Sequence, residues 1–216
     1  GITGGGLTWV ESGTAGGVVY SGVGNAVRRI QVFRALVTSG ATTGALTISY
    51  DGTSTGCHAV VAEVTGADTS GTNGSGGIAQ TVGAFDNASV TSLSISMAAL
   101  GAANRPLAFF SHRATEATTQ EGGYTELDDG TGSAPLAGTC LEWNPTVAEA
   151  SPSASWATAS NAGGIAVELV VAAASDSLLR TPARTVSDTI TMSDTLASSR
   201  ARPQTDTLVN PGDTLA

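Results

Sequence analysis

The chain has 216 residues, of which 12% are charged, and its formal net charge at pH 7 is −9. It contains 28 glycines and no lysine, so all nine cationic side chains are arginines. Because phosphate neutralisation needs clustered Lys or Arg, this composition argues against a nucleic-acid-binding surface. The one adjacent basic pair, Arg28-Arg29, lies in a strand-like segment and is expected at a solvated strand edge.

Strand-like segments recur along the first 171 residues, and glycine-rich turns separate them. Abundant Thr, Val and Ile in short apolar or alternating stretches predict an all-β fold. In residues 90–97, Leu93, Ile95 and Met97 share one face and serines occupy the other, as in a strand with one solvated face. The predicted strands are residues 7–10, 27–37, 45–50, 59–64, 90–97, 106–111, 124–127, 136–143, 153–158 and 164–171.

Strands of this number and spacing predict an antiparallel β-sandwich, jelly-roll-like, that spans residues 1–174. The segment 27–37 is apolar at nearly every other position on both faces and predicts a strand that is buried on both sides. Residues 66–77 are rich in Gly, Ser, Thr, Asn and Asp and predict a surface loop. Three tryptophans and four phenylalanines are expected to fill much of the core. The chain has no apolar run of the roughly 18 residues that cross a bilayer, so membrane insertion is not expected.

The composition changes at about residue 174, and we call residues 175–216 the C-terminal arm. The arm has no aromatic residue, carries three prolines and repeats an Asp-Thr unit at residues 188, 194, 206 and 213. Such a segment cannot bury enough apolar area for a core of its own. Val186, Ile190, Met192 and Leu196 lie at even positions, so a strand here would have one apolar face. The arm is expected either to add a strand to a neighbouring subunit or to be an extended linker.

Two cysteines, Cys57 and Cys140, are 83 positions apart, a spacing that matches no zinc or redox motif. A disulfide between neighbouring strands and two buried free thiols are equally compatible with the sequence.

Catalytic candidates are few. His58 and His112 could each act as a base beside Cys57 or a serine, but isolated histidines at strand ends are usually structural. Glu63, Glu142 and Glu168 lie in strand-like segments and could form a carboxylate pair, although strand carboxylates more often accept hydrogen bonds. We therefore expect a non-enzymatic protein with no catalytic residues and no cofactor.

Binding motifs for ions and carbohydrate attachment are also weak. Asp128-Asp129 and the Asp-Thr repeats offer oxygen ligands, but EF-hand spacing and calcium-binding nonapeptide repeats are missing, so no metal site is predicted. Asn73 and Asn87 each begin an Asn-x-Ser sequence, the acceptor pattern for N-glycosylation in secreted eukaryotic proteins.

Several segments resemble a domain found in bacteriophage minor tail and other virion proteins, and in some bacterial surface proteins. They are Leu-Thr-Trp at 7–9, Arg-Ile-Gln-Val-Phe-Arg-Ala at 29–35, residues 60–69, the stretch 112–127 with Ala-Thr-Glu-Ala-Thr-Thr, and Ile-Ala-Val-Glu-Leu at 165–169. The resemblance covers about residues 6–172. It implies a β-sandwich on a phage particle, on the tail or as a capsid decoration, with no catalytic residues to carry over.

The leading hypothesis is a structural protein on the virion surface that assembles in several copies. Its partners would be other copies of itself and other virion proteins, and the arm would tie subunits together. The alternative is an extracellular carbohydrate-binding or adhesin module, in which exposed Trp143 and Trp156 would stack on sugar rings of a host-surface glycan.

Overall fold

The computed structural model describes residues 1–22, 26–38, 40–54, 56–130 and 138–172. The arm residues Val186, Ile190, Met192 and Leu196 lie outside this range. The described part of the chain is all-β and antiparallel, as the composition predicts, with one short 3-10 segment at Thr72–Gly77. No helix in the described residues has the length and apolar character needed to cross a membrane.

Twelve strands are formed by the described residues. They are β1 (Ile2–Gly4), β2 (Val10–Ser12), β3 (Val18–Tyr20), β4 (Arg28–Ile30), β5 (Val32–Arg34), β6 (Leu46–Ile48), β7 (Ile78–Ser94), β8 (Arg105–His112), β9 (Thr119–Gln120), β10 (Thr125–Gly130), β11 (Thr139–Trp143) and β12 (Ser153–Leu169).

The main sheet has six strands in the order β10-β11-β8-β12-β7, with β9 also paired to β12. Strand β12 is central, because its second half pairs β8 from Ala162↔His112 to Leu169↔Arg105 and pairs β7 on its other side. The remaining strands form three two-stranded sheets, β1-β6, β2-β5 and β3-β4.

The long ribbon of β7 and β12 bends back over the sheet. Residue 98 would lie about 60 Å from residue 80 in a straight extended chain. Instead, Ala98 N donates to Gln80 Oε1 at 3.0 Å and Gln80 Nε2 donates to Ala98 O at 3.1 Å. The β7–β12 register slips between Ser155 and Ala162, and such irregular pairing allows a strand to bend.

The bent ribbon covers one face of the sheet and encloses the main apolar core. Ile95 and Phe110 are fully buried there, together with the alternating residues Leu93 and Met97. Gly164 lets them approach, since a Cβ at this position would lie 2.8 Å from Phe110 Cδ1 and 3.0 Å from Ile95 Cδ1. The predicted inward face of residues 90–97 is therefore confirmed.

The small β3-β4 sheet packs on the opposite face. Val18 and Tyr20 of β3 lie against Ile165, and Tyr20 Oη donates to Ser111 Oγ at 2.8 Å. A Cβ at Gly83 would overlap Val18, and a Cβ at Gly163 would overlap the Tyr20 ring. Glycines inside strands often mark such close approaches, and here they seat β3 on the sheet.

Several details of the strand prediction are wrong. Residues 59–64 form no strand, and 27–37 divides into β4 and β5 with Val27 and Val37 exposed rather than buried. The segment 153–158 and the first six residues of 164–171 belong to one continuous strand, β12, which pairs β7 on both sides of its irregular middle. Strand β3 and the first half of β7 were not predicted, and Phe85 of β7 is exposed rather than in the core.

Candidate functional site

An open apolar cleft lies between β3 and β7, and we call it the β3/β7 cleft. Its volume is about 330 Å³, at the small end of the range for binding pockets. The buried side chains of Val18 and Ile165 form its inner part, whereas Val19 and Phe85 are 42% and 57% exposed. Its full lining is Thr14, Gly17, Val18, Val19, Thr81, Gly83, Phe85 and Ile165.

The sheet topology explains why this cleft is open. Strand β3 pairs only β4, and β7 pairs only β12, so in the described residues no strand pairs the outer edge of either. The face of β7 that carries Thr81, Gly83 and Phe85 is covered at Gly83 by Val18 and left open at Phe85. An aromatic side chain beside open strand edges is suited to contact another polypeptide segment.

The tryptophans proposed for glycan contact do not offer a face to solvent. Trp143 is 4% exposed and packs with Val167 and Leu169, and Trp156 is 5% exposed. Trp156 stacks on His112 at a ring distance of 4.6 Å and donates from Nε1 to Val90 O at 2.8 Å. Both indoles are core residues, so the expectation that Trp143 and Trp156 are exposed is wrong.

The two cysteines are free thiols with no Cys57–Cys140 bond, and only Cys140 is buried, so neither alternative holds in full. Cys57 is exposed, and its side chain hydrogen-bonds Tyr50, which raises the pKa of the Tyr50 hydroxyl. Cys140 is buried in β11, and burial, reinforced by the nearby carboxylate of Glu142, raises the pKa of its thiol to about 12. A thiol in this environment stays protonated and is a poor nucleophile.

His58 connects a loop to the edge of the sheet. Its Nδ1 lies 3.0 Å from Thr139 Oγ1, and its Nε2 lies 3.0 Å from Asp128 Oδ2. This is the hydroxyl–imidazole–carboxylate order of hydrolytic triads. Thr139 is buried at the start of β11, however, so its hydroxyl does not face an open substrate site. The contacts join residues 56–66 to β10 and β11.

His112 is fully buried and acts in the core. Its Nε2 lies 3.1 Å from Thr118 Oγ1, and its Nδ1 has no hydrogen-bond partner. Burial lowers the pKa of His112 to about 4; the Arg28 charge adds to this, while Glu116 and Asp129 oppose it. The imidazole is therefore neutral at physiological pH.

Glu142 is fully buried in β11 and lies opposite Glu126 of β10. Its Oε2 accepts from Glu121 N at 3.2 Å, but its Oε1 has no partner, and the Tyr124 hydroxyl and Glu121 Oε2 are also buried without partners. Burial raises the pKa of Glu142 to about 8; the Glu121 N–H opposes this rise, and the carboxylates of Glu121, Glu149 and Glu126 increase it. Glu142 is thus largely protonated at neutral pH.

Glu168 lies in a separate and fully satisfied network. Its Oε1 accepts from Gly101 N at 2.8 Å and Asn104 Nδ2 at 2.6 Å, and its Oε2 accepts from Gln80 Nε2 at 2.7 Å. Burial alone would raise the pKa of Glu168, but these three hydrogen bonds outweigh it and hold the pKa below its ordinary value. Glu142 and Glu168 are both buried, and Glu63 is exposed in a loop, so the structure does not bring these carboxylates together in an open groove.

The other predicted motifs lie apart from the cleft. Asp128 and Asp129 are on β10, and in the described part of the chain no group of three or more His, Cys, Asp or Glu is placed to hold a metal ion. Asn73 lies in the 3-10 segment, and Asn87 Oδ1 accepts from Ser21 N at 2.8 Å. Arg28 Nη1 donates to His112 O of the main sheet, whereas Arg29 lies at the surface, 4.0 Å from Asp51.

Comparison with protein-family models, curated proteins and solved structures finds no match to this chain.

Proposed function

We propose that this chain is a non-enzymatic structural protein of a bacteriophage virion, a tail component or a capsid-surface decoration that assembles in multiple copies. In this proposal the C-terminal arm of one copy docks on a neighbouring subunit at the virion surface. The observation that carries it is the contrast between a tightly packed antiparallel domain and the arm that follows it in sequence, which has strand periodicity but too little apolar area for a core.

The surface of the domain supports an assembly role. Several large apolar side chains are exposed on the described residues, including Val19, Phe85 and Val147. Charged residues make up only 12% of the chain, so contact between copies has to bury few charged groups. The sequence resemblance to phage virion domains gives the particle context, whereas the apolar surface and the arm support multiple copies.

The test is the mass of the full chain in solution, with and without changes in the arm. Replacing both Ile190→Asp and Met192→Asp places charges on the apolar face of the arm, and this variant should lose the oligomer. Val209→Asp, which lies outside that face, is the matched control and should keep it. An oligomer that is unaffected by the double change would contradict an assembly role for this part of the arm.

A further inference from the structure

The small β3-β4 sheet packs on one face of the main sheet but does not extend over the far side of β7. Val18 of β3 contacts Gly83, and Tyr20 covers Gly163. Beyond β3, Phe85 remains 57% exposed, and in the described residues nothing completes the layer over it. One further strand beside β3 would cover Phe85 and fill the β3/β7 cleft.

The backbone at this position can accept such a strand. Strand β3 is paired on one side only, with Val18↔Ile30, Val19↔Arg29 and Tyr20↔Arg28. Its other edge faces the cleft, and the ladders of the described residues leave it without a partner strand. An extended segment that pairs there gains main-chain hydrogen bonds, and its alternate side chains enter the cleft.

The chain itself directs a segment toward β7. Val170 N donates to Gly77 O at 3.0 Å and Ala172 N donates to Gly66 O at 2.9 Å, so the described chain ends beside the start of β7. Residue 190 is 18 residues further along, which corresponds to a reach of about 60 Å when extended. This reach allows the arm to contact the cleft of an adjacent copy.

The chemistry of the arm matches the cleft. Ile190 and Met192 are two apolar side chains on one face of a strand, suited to a small apolar cleft. Asp188 and Asp194 have the same parity and place a carboxylate at each end of this pair.

We propose that residues 186–196 of a second copy bind as an added strand along β3, with Ile190 and Met192 in the β3/β7 cleft against Phe85 and Ile165. The proposal rests on the assembly role proposed above and identifies the receptor surface for the arm.

Cysteine trapping in the full-length chain tests this contact. With Cys57→Ser as background, one chain carries Phe85→Cys and a second chain carries Met192→Cys; the buried Cys140 remains in both. Mixing the two under mild oxidation should give a disulfide-linked species at twice the monomer mass. In the matched control, Val147→Cys replaces Phe85→Cys, because Val147 is 55% exposed and lies outside the cleft.

A second control tests the orientation of the arm. Ser193→Cys is adjacent to Met192 but on the opposite face of a strand, so it should crosslink to Phe85→Cys much less efficiently. Equal crosslinking from Met192→Cys and Ser193→Cys would contradict an ordered added strand. Equal crosslinking to Phe85→Cys and Val147→Cys would contradict the cleft as the specific site.

The remaining outcomes separate this inference from the assembly proposal. If the chains still form an oligomer but no cleft crosslink appears, the arm docks elsewhere and only the receptor assignment fails. If a chain with both Phe85→Cys and Met192→Cys crosslinks within itself as a monomer, the arm occupies its own cleft and the second-copy assignment is wrong. If the unmodified full chain is monomeric at every concentration, the assembly proposal itself fails.

Discussion

Glu142 is a carboxyl group buried in the sheet with only one of its two oxygens hydrogen-bonded. A buried carboxylate without a cation is costly, whereas a protonated carboxyl is tolerated. Three neighbouring glutamates increase this preference. At the residue scale, the stability of the domain should therefore depend on keeping Glu142 neutral.

We expect the free energy of unfolding to fall as pH rises toward 8. The pKa of Glu142 is raised from 4.5 to about 8 on folding, so the folded state holds a proton that the unfolded state loses. The contribution of protonated Glu142 to the free energy of unfolding is complete below pH 4.5 and is lost as pH rises through 8. Over this range the free energy of unfolding falls by about 1.4 kcal/mol per pH unit for one proton. Chemical denaturation between pH 6.5 and 8 should show this slope in the wild type and a flat profile in Glu142→Gln. The same slope in both proteins would show that Glu142 is ionised in the core.

His112 should produce the opposite slope at lower pH. Its pKa is lowered from 6.5 to about 4, so the unfolded state gains a proton that the folded state excludes. Stability is full above pH 6.5 and falls as the pH decreases toward 4. In the wild type the opposite slope from Glu142 cancels this effect. In Glu142→Gln, the free energy of unfolding should therefore fall by about 1.4 kcal/mol per pH unit as the pH decreases from 6.5 to 5. Adding His112→Gln to that variant should remove it, and a persistent slope would assign the effect to other groups.

The glycines inside β7 and β12 determine how the layers approach at the element scale. We expect Gly163→Ala to destabilise the fold by about 1 to 3 kcal/mol, as overpacking of a core does, because its Cβ would overlap the Tyr20 ring. Gly122→Ala is the control, since an added Cβ there meets no atom within 4 Å. Thermal unfolding of the two variants measures the difference. Equal melting temperatures would mean that β3 does not lie tightly on β12.

Glu168 should stabilise the return of the chain between β7 and β8. Its carboxylate accepts from Gln80, near the start of β7, and from Gly101 and Asn104, which come just before β8. Glu168→Gln places an amide donor among these donors and should cost about 3 kcal/mol, since buried hydrogen bonds to a charge contribute about 1.5 to 3 kcal/mol each. Glu63→Gln, on an exposed residue, should change the unfolding free energy little. A neutral effect of Glu168→Gln would contradict the network.

Local patterns in the sequence predicted the elements that depend on local alternation. Leu93, Ile95 and Met97 were assigned correctly because a period of two places them on one face. Residues 59–64 were assigned wrongly, because an apolar run predicts a strand even where the fold provides no partner for it. Strand β3 has a recognisable pattern, Val-Val-Tyr after two glycines, but its three residues are too short to separate from a turn by periodicity.

The candidate site could not be predicted, because it arises from packing between distant segments. Phenylalanine is usually a core residue, so the sequence predicts that Phe85 is buried. It is exposed because β3 packs over Gly83 and does not extend over Phe85. Trp143 and Trp156 illustrate the reverse case, since sequence cannot distinguish a binding tryptophan from a buried one. Gly83, Gly163 and Gly164 were the available signal, because glycine within a strand marks close approach.

At the scale of the whole molecule, a packed β domain is followed in sequence by a C-terminal arm with strand periodicity. In the described residues the domain leaves an open strand edge and an exposed aromatic ring, and the described chain ends beside the start of β7. Such edges are commonly protected or used for pairing with another chain. Multivalent contacts of this kind become effective when copies are held together on a particle.

The most direct test is the mass of the full 216-residue chain by light scattering over a range of concentrations, beside a chain that ends at Ala174. We expect a defined multiple of 21.3 kDa for the full chain and a monomer for the shortened chain, with circular dichroism showing that both are folded. Monomers of both chains at every concentration would contradict the proposed assembly role.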